Sequence, residues 1–361
     1  MRIGTSLGMG RIGIQEIAAL AKVSIGTVDR ALHGRKRISE RTRKRILKIA
    51  QQVGYKPNLA ARALSAGRGL TRIGVCIPRE IHFYFDQLRD GILAEARRHE
   101  HLGVEIVYNP TERLGFREGE KLKELMRQGI RAAIIAPGDP QKLTPVINEV
   151  ERNNVRVMCV DTDAAGSARS SVVCLDAKVS GRLAAELMGS FVAAGSRVAM
   201  ITGMLRTETH GKSTKGFCES FPRFCQGGKV VEVVEAHDDE QEAFHKFSEL
   251  LERHPALAGV YVSTANCLPI CRALRARNRN GRIKLITSDL FQKMIPYFEK
   301  GIISASIYER PYLQGQIATR LLVDHLVQGR PLPSHHYLAP EIVMRSTLHF
   351  FREVRRRPAR A

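Results

Sequence analysis

Apolar positions recur at helical spacing from the start of the chain's readable pattern. Ile14, Ile17, Ala18 and Ala21 fall on one face of a helix. Lys22-Val23-Ser24 interrupts the run, and Ser24 suits an N-cap. A second helix is then predicted from Ile25 to Leu32, burying Val28, Ala31 and Leu32. Its opposite face carries Ile25, Gly26, Asp29 and Arg30. Ser39 opens a third helix with Ile46, Ile49, Ala50 and Val53 turned inward and Gly54 as its stop. Arg41, Arg43, Lys44, Arg45 and Lys48 line its outer face. A short Ala-rich segment, Asn58–Leu64, follows Pro57. Seven residues are too few to hold a helix alone in water. Gly67-Arg68-Gly69 marks a boundary.

Beyond it the rhythm changes to β-rich runs separated by amphipathic stretches. Strands are predicted at 73–77, 104–108, 132–136, 155–160 and 172–175. A second series follows at 197–202, 230–234, 259–263, 283–287 and 303–307. Helical stretches between them cover 86–100, 117–128, 177–193, 240–253 and 268–277. Such alternation implies parallel sheets covered on both faces. Ten units exceed one compact core, so two α/β lobes are expected.

Charge adds a partner to this outline. The net charge is +21, of which +13 lies in residues 1–72 and +4 in the last eleven. A basic surface confined to the helical end suits a phosphate backbone, although a solvated charged face would look the same on the third helix alone. The seven cysteines form no CxxC pair, and Cys267 and Cys271 lack partners for a tetrahedral metal set, so buried free thiols, no metal and no cofactor are expected. No apolar run approaches a membrane span, and residues 1–10 do not suit a secretory signal. Phosphate-cradling glycine loops and nucleophile elbows are also missing, which argues against an enzyme.

Residues 12–67 resemble the headpiece of the LacI/GalR family of bacterial transcription regulators. The resemblance rests on Val23-Ser24-Ile25-Gly26-Thr27-Val28-Asp29-Arg30, the basic third helix and the hinge. It implies that Ile25, Gly26 and Arg30 face bases, with Thr27 and His33 at phosphates. An arginine fork there can pair with guanine O6 and N7. Gly26 offers no side chain for readout. Asp29 stands where a serine is usual and either pairs with Arg30 or accepts from a cytosine amino group. By position, Leu64 is the minor-groove wedge, with Ala61 near the groove floor and Asn58 at the hinge start. A plain spacer helix is the other reading of the hinge.

The remainder resembles the two-lobed, type I periplasmic-binding-protein-like effector domain of the same family, nearest to ribose-type sugar binders. The likeness is carried by Phe83-Tyr84-Phe85 with Asp90-Gly91, Cys159-Val160-Asp161-Thr162-Asp163, His210 with Lys215-Gly216-Phe217, Tyr261–Asn266, Thr287-Ser288-Asp289 and Glu309-Arg310-Pro311. Ligands of open α/β sheets bind beyond the strand ends, where these residues fall. Asp161, Asn266 and Asp289 are therefore candidate hydroxyl readers, and Tyr84 and Phe85 a candidate stacking surface. The alignment adds His82, His210 and Glu309. Helix capping would also account for Asp161 and Asp289, core packing for Tyr84 and Phe85, and a surface position for His210. Sugar binders often carry arginines where this chain has Thr162 and Ser213, and an amide where it has Glu309. A pocket without those cations fits a neutral sugar better than a phosphorylated one.

The expected organisation is a disordered segment 1–11, an all-α helix-turn-helix headpiece at 12–56, a hinge helix and linker at 57–71, a two-lobed effector and dimerisation domain with parallel sheets at 72–350, and a basic tail at 351–361. The expected function is a cytoplasmic, homodimeric DNA-binding transcription regulator, a repressor of carbohydrate-related genes. It would bind a double-stranded palindromic operator under control of a sugar-like effector. A tetramer, a sugar-processing enzyme with an appended DNA-binding domain and a sequence-indifferent architectural protein are the alternatives.

Overall fold

The structure is a computed structural model that describes residues 13–32, 38–53, 70–279 and 281–351. These residues fall into two compact units, the first holding the helices before Leu70 and the second beginning at Thr71. Residues 1–11, His33, the hinge residues Asn58, Ala61 and Leu64, and all of the basic tail but Phe351 lie outside the described residues.

Three helices make up the first unit: α1 (Ile14–Ala21), α2 (Ile25–Leu32) and α3 (Glu40–Gln52). Glu16 accepts from the Gly13 N–H at 2.8 Å and closes the start of α1. Lys22 then adopts the left-handed region (φ 51°), which turns the chain sharply into α2. Ser24 caps α2 and Ser39 caps α3, each accepting from the N–H three residues on. Ile17, Ala18, Ala21, Val28, Ala31, Ile46 and Ala50 form the core, with Leu32 at its half-buried edge. Arg45 Nη2 donates to the Ala21 carbonyl at 2.9 Å, tying α3 to the exposed carbonyl end of α1.

Two six-stranded sheets make up the second unit. The first has the order β11-β5-β4-β3-β1-β2, built from β1 (Thr71–Cys76), β2 (Val104–Tyr108), β3 (Ala132–Ile135), β4 (Arg156–Val160), β5 (Ser171–Leu175) and β11 (His336–Leu338). All its pairs are parallel. The second has the order β12-β10-β9-β8-β6-β7, from β6 (Arg197–Thr202), β7 (Lys229–Glu235), β8 (Leu257–Val262), β9 (Lys284–Ser288), β10 (Ile303–Tyr308) and β12 (Glu341–Val343). Only β12 there runs antiparallel, beside β10. The central strands β3 and β5 are buried along their whole length, as covering helices on both faces require. The chain passes between the sheets three times, after β5, β10 and β11.

The covering helices are α4 (His82–Arg98), α5 (Glu118–Arg127), α6 (Pro140–Arg152), α7 (Ala177–Phe191), α8 (Glu208–Phe224), α9 (Glu240–Arg253), α10 (Leu268–Ala276), α11 (Ile295–Glu299) and α12 (Pro311–Gln328). Helix α4 starts four residues earlier than the amphipathic pattern predicts. Ile81, with φ 50°, turns the chain so that Tyr84 and Phe85 lie in the first helical turn. Each lobe contains one very close helix crossing. A Cβ on Gly91 would lie 2.0 Å from the Tyr312 carbonyl oxygen, and one on Gly181 would lie 2.1 Å from that of Ser213. Glycine at these points lets α4 meet α12 and α7 meet α8 backbone to backbone. Among the described residues no helix is long and apolar enough to cross a membrane, and all seven cysteines are free.

Candidate functional site

The outward face of α2 is short and sparsely decorated. Ile25 is 51% exposed, and a Cβ on Gly26 would meet nothing nearer than Ser24 Oγ at 4.0 Å. Glycine there is therefore not demanded by packing within the headpiece. It leaves the helix backbone accessible at the turn that would approach a groove. Thr27 Oγ1 lies 2.9 Å from Ser24 Oγ and accepts from Arg30 Nη2 at 3.3 Å. Arg30 is thus laid along the helix, and its buried Nε has no hydrogen-bond partner in the free chain. A guanidinium parked on a hydroxyl with a spare donor can be transferred to a base edge at little cost in lost protein contacts. Asp29 is half-buried on the same helix.

The second site is a cavity between the two lobes. One wall comes from the first lobe, with Ile81, Tyr84, Phe85, Leu114 and Asp161. The other comes from the second lobe, with Thr209, His210, Asp238, Ser263, Thr264, Ala265, Asp289 and Glu309. Six sequence-assigned residues therefore meet here: Tyr84, Phe85, Asp161, His210, Asp289 and Glu309. Two do not line it. His82 sits at the exposed start of α4, its ring 3.9 Å from Asp86, because the helix begins before the aromatic pair and carries His82 away. Asn266 is displaced by Ser263, Thr264 and Ala265, which form the wall past β8. Its own N–H donates to Thr264 Oγ1.

Strand ends supply most of the acidic groups. Asp161 follows β4, Asp289 follows β9 and Asp238 lies just past β7, all three with positive φ. Backbone in this region is costly for residues other than glycine and clusters at binding sites. Asp289 is 3% exposed, and its Oδ1 has no hydrogen-bond partner within the protein. Burial, helped by the Asp289 and Asp161 charges, raises the Glu309 carboxyl well above the usual carboxylate range. Burial and Asp161 do the same to Asp289. For Asp161, burial outweighs the opposing hydrogen bond from Tyr84 and the His210 charge, and its pKa is pushed up to about 6. His210 is held by Met204, whose N and O lie 3.0 and 3.2 Å from Nδ1.

Several residues here escape a reading by motif. Gln314, fully buried on α12, accepts from the Asp161 N–H at 3.1 Å. It donates to Tyr84 Oη at 3.2 Å and to the Glu309 carbonyl at 2.9 Å. A buried amide in an otherwise apolar helix face was its only signal. Asp238 could have been found by extending the strand-end rule to β7. Phe83, beside the cavity residues, stacks on Phe291 of the other lobe at 4.3 Å. Gln87 bridges the Leu290 carbonyl and the Tyr308 hydroxyl. At another point, Thr207 donates to the Gly138 carbonyl at 2.7 Å and Thr209 to the Asp161 carbonyl at 3.0 Å. The lobes are thus joined around the cavity, in which Asp289 and Glu309 are buried while Asp161 and Asp238 keep part of their surface in solvent. Among the described residues no three of His, Cys, Asp or Glu converge tightly enough to hold a metal ion.

Both parts of the chain match known families. Residues 73–331 match the family model described as periplasmic binding protein domain, and residues 13–58 match that of bacterial regulatory proteins, lacI family. The ribose operon repressor of Halalkalibacterium halodurans is 25% identical over 347 residues, covering 92% of this chain and 96% of that protein. Catabolite control protein A of Streptococcus mutans is 41% identical, but over 81 residues, 22% of this chain and 24% of that protein. Among solved structures, a solute-binding protein of Burkholderia graminis in complex with D-arabinose superposes with a TM-score of 0.71 at 22% identity, covering 77% of this chain and 96% of that one. A glucose-galactose binding protein of Geobacillus stearothermophilus gives 0.70 at 24% identity, with 77% and 99% covered. These two establish the fold of the lobed unit. The chain belongs to the periplasmic-binding-protein domain family and carries, ahead of that domain in sequence, the helix-turn-helix of the LacI family of bacterial regulatory proteins.

Proposed function

We propose that this chain is a DNA-binding transcription repressor of carbohydrate-related genes, which grips a palindromic operator as a homodimer and changes its grip when a small sugar-like ligand fills the interlobe cavity. The observation that carries this reading is the pairing, in one chain, of a LacI-type recognition helix with an interlobe cavity built at strand ends. In this reading Ile25, Gly26 and Arg30 face bases. Thr27 and His33 stand at phosphates, Asn58, Ala61 and Leu64 serve the minor groove, and Asp29 tunes Arg30. Tyr84, Phe85, Asp161, His210, Asp289 and Glu309 hold the ligand. The relatives named as repressors or catabolite control proteins support the regulatory role, and the sugar-bound neighbour supports the ligand class. Free thiols and a DNA target fit a cytoplasmic protein that binds and does not catalyse.

Coupling requires only that ligand bind one lobe arrangement more tightly than the other. Selection of the full chain against a random duplex pool, with and without a panel of sugars, tests the proposal. One symmetric site should emerge, preferred roughly a thousandfold or more over random duplex, and at least one panel member should change its occupancy. Equal retention of all duplexes would overturn the reading.

A further inference from the structure

The charge balance of the cavity points to more than a polyol. Asp161, Asp238, Asp289 and Glu309 line it together with Tyr84 and His210, and no lysine or arginine does so among the described residues. Cations on the neighbouring elements are engaged elsewhere. Lys212 pairs with Glu208 and Lys215 with Glu219. Arg206 faces Asp139, Arg310 pairs with Glu341 at 2.9 Å, and Lys293 lies over the Phe83 ring. Two positions where related sugar binders carry arginines hold short hydroxyls spent inside the protein. Thr162 Oγ1 accepts from Thr209 N, and Ser213 meets the Tyr261 hydroxyl at 3.2 Å.

His210 and the Tyr84 hydroxyl stabilise the Asp161 carboxylate, but among the described residues no cationic side chain acts on Asp289 or Glu309. Buried like charges destabilise one another unless they take up protons or a counter-charge. The unpartnered Oδ1 of Asp289, at a residue 3% exposed, needs a donor that the protein does not supply. Neutral sugar hydroxyls would satisfy the hydrogen bond and leave the repulsion. A metal ion would relieve the repulsion, but no three ligands converge on one point among the described residues. An alkylammonium group does both, with three donors and a full positive charge. The other walls describe the remainder of such a molecule. Thr209, Ser263 and Thr264 offer hydroxyls, while Ile81, Phe85 and Leu114 offer an apolar face.

We propose that the effector is an aminated polyol, an amino sugar in chemical class, whose ammonium group is held by Glu309 and Asp289, with Asp161 facing it from the first lobe. This rests on the sugar-responsive reading above and replaces the neutral sugar expected from the missing arginines. In this scheme Glu309 is the specificity residue, since it stands where an amide is usual in ribose-type binders. Binding the cation also draws the raised carboxyls back toward their ionised forms. For Asp161, whose pKa is pushed up to about 6, complex formation therefore releases a proton near that pH, and its contribution to affinity rises with pH through that point. The groups facing the bound cation are Tyr84 from α4, Asp161 past β4, His210 from α8, Asp238 past β7, Asp289 past β9 and Glu309 past β10, with Glu80 beside Asp238 and Cys267 beside Asp289.

Thermal shift and calorimetry on the full chain at neutral pH test this with matched sets. Each set holds one hexosamine, its parent hexose and its N-acetyl derivative, for the gluco, galacto and manno configurations, and 1,4-diaminobutane serves as a hydroxyl-free amine. The amine of at least one set should bind about thirtyfold or more tightly than its two neutral partners, the lower end for a buried charge pair. Glu309→Gln should remove that preference while raising the melting temperature of the free chain. A neutral member binding as well as its amine, or a panel in which no amine binds, would overturn the cationic effector and leave the DNA-binding reading intact. Diaminobutane binding without any hexosamine would overturn the amino-sugar class, and with it the sugar-responsive reading. Should Glu309→Gln not fold, the matched sets on the wild-type chain decide the matter.

Discussion

Helix α3 and the interlobe cavity each concentrate charge of one sign, and they do so under opposite conditions. On α3, Arg41, Lys44 and Lys48 are exposed, and their mutual repulsion is screened by water. In the cavity, Asp289 is 3% and Glu309 9% exposed, and burial lifts both carboxyls above their usual range. The exposed charges cost the free protein little and await a polyanion. The buried ones cost it stability and make the cavity selective for what enters. The two surfaces also rest on different supports. The headpiece has a core of seven small or medium apolar residues, four of them alanine. The cavity stands on two sheets whose central strands are fully buried.

That contrast can be broken at the headpiece first. Ile46→Ala empties a fully buried position in the small core and should cost about 2–5 kcal/mol. Calorimetry should then lose the headpiece transition, and operator binding with it, while the lobed domain keeps its melting temperature. A smaller effect is expected from the reading face itself. Arg30→Ala should cost about 1–3 kcal/mol per half-site at one symmetric pair of base positions, and sequence selection would register it as relaxed preference there. An unchanged preference would detach Arg30 from base recognition.

The smallest effect belongs to the buried charges. Asp161 titrates at about 6 in the folded chain against an ordinary 3.8, so folding favours its protonated form. Its contribution is full below about pH 4 and fades as pH rises through about 6, with about 1 kcal/mol of that loss falling between about pH 5 and 7. The melting temperature of the free chain should drop by a few degrees over that interval. Asp161→Asn should flatten the slope, and an equally steep slope in that variant would assign the titration elsewhere.

Legibility followed the same contrast. Helices α1 to α3 were readable because each buries one stripe and presents the other face to water, and Ser24 and Ser39 cap as their positions suggest. The ten long strands were readable from their apolar, β-branched runs. Helices α6, α8 and α12 were not. Pro140 and Pro145 disguise α6, and Gly211, Gly216 and Pro222 disguise α8. Helix α12 is covered by α4 on one side and the sheet on another, so it lacks a single clean stripe. Strands β11 and β12 have three residues each, too short for any period. At the cavity, carboxylates right after strands were legible. His82 lies on the exposed start of α4, which begins earlier than its pattern suggests, and Ser263, Thr264 and Ala265 line the cavity beside Asn266. The acidity of the whole site was hidden, since residues 161, 238, 289 and 309 converge only in three dimensions.

Gln314 fixes one wall of the cavity in advance. Both protons of its amide and its one oxygen are spent, on Tyr84, the Glu309 carbonyl and the Asp161 N–H. Tyr84 and Asp161 belong to the lobe on which α12 packs, and Glu309 precedes the N-cap of that helix by one residue. Displacing any of these partners by an ångström or so strands a donor or an acceptor at a fully buried side chain, at a cost of about 1–3 kcal/mol. The Asp161 wall therefore keeps its shape whether or not anything fills the cavity, and serves as the template against which the opposite lobe adjusts.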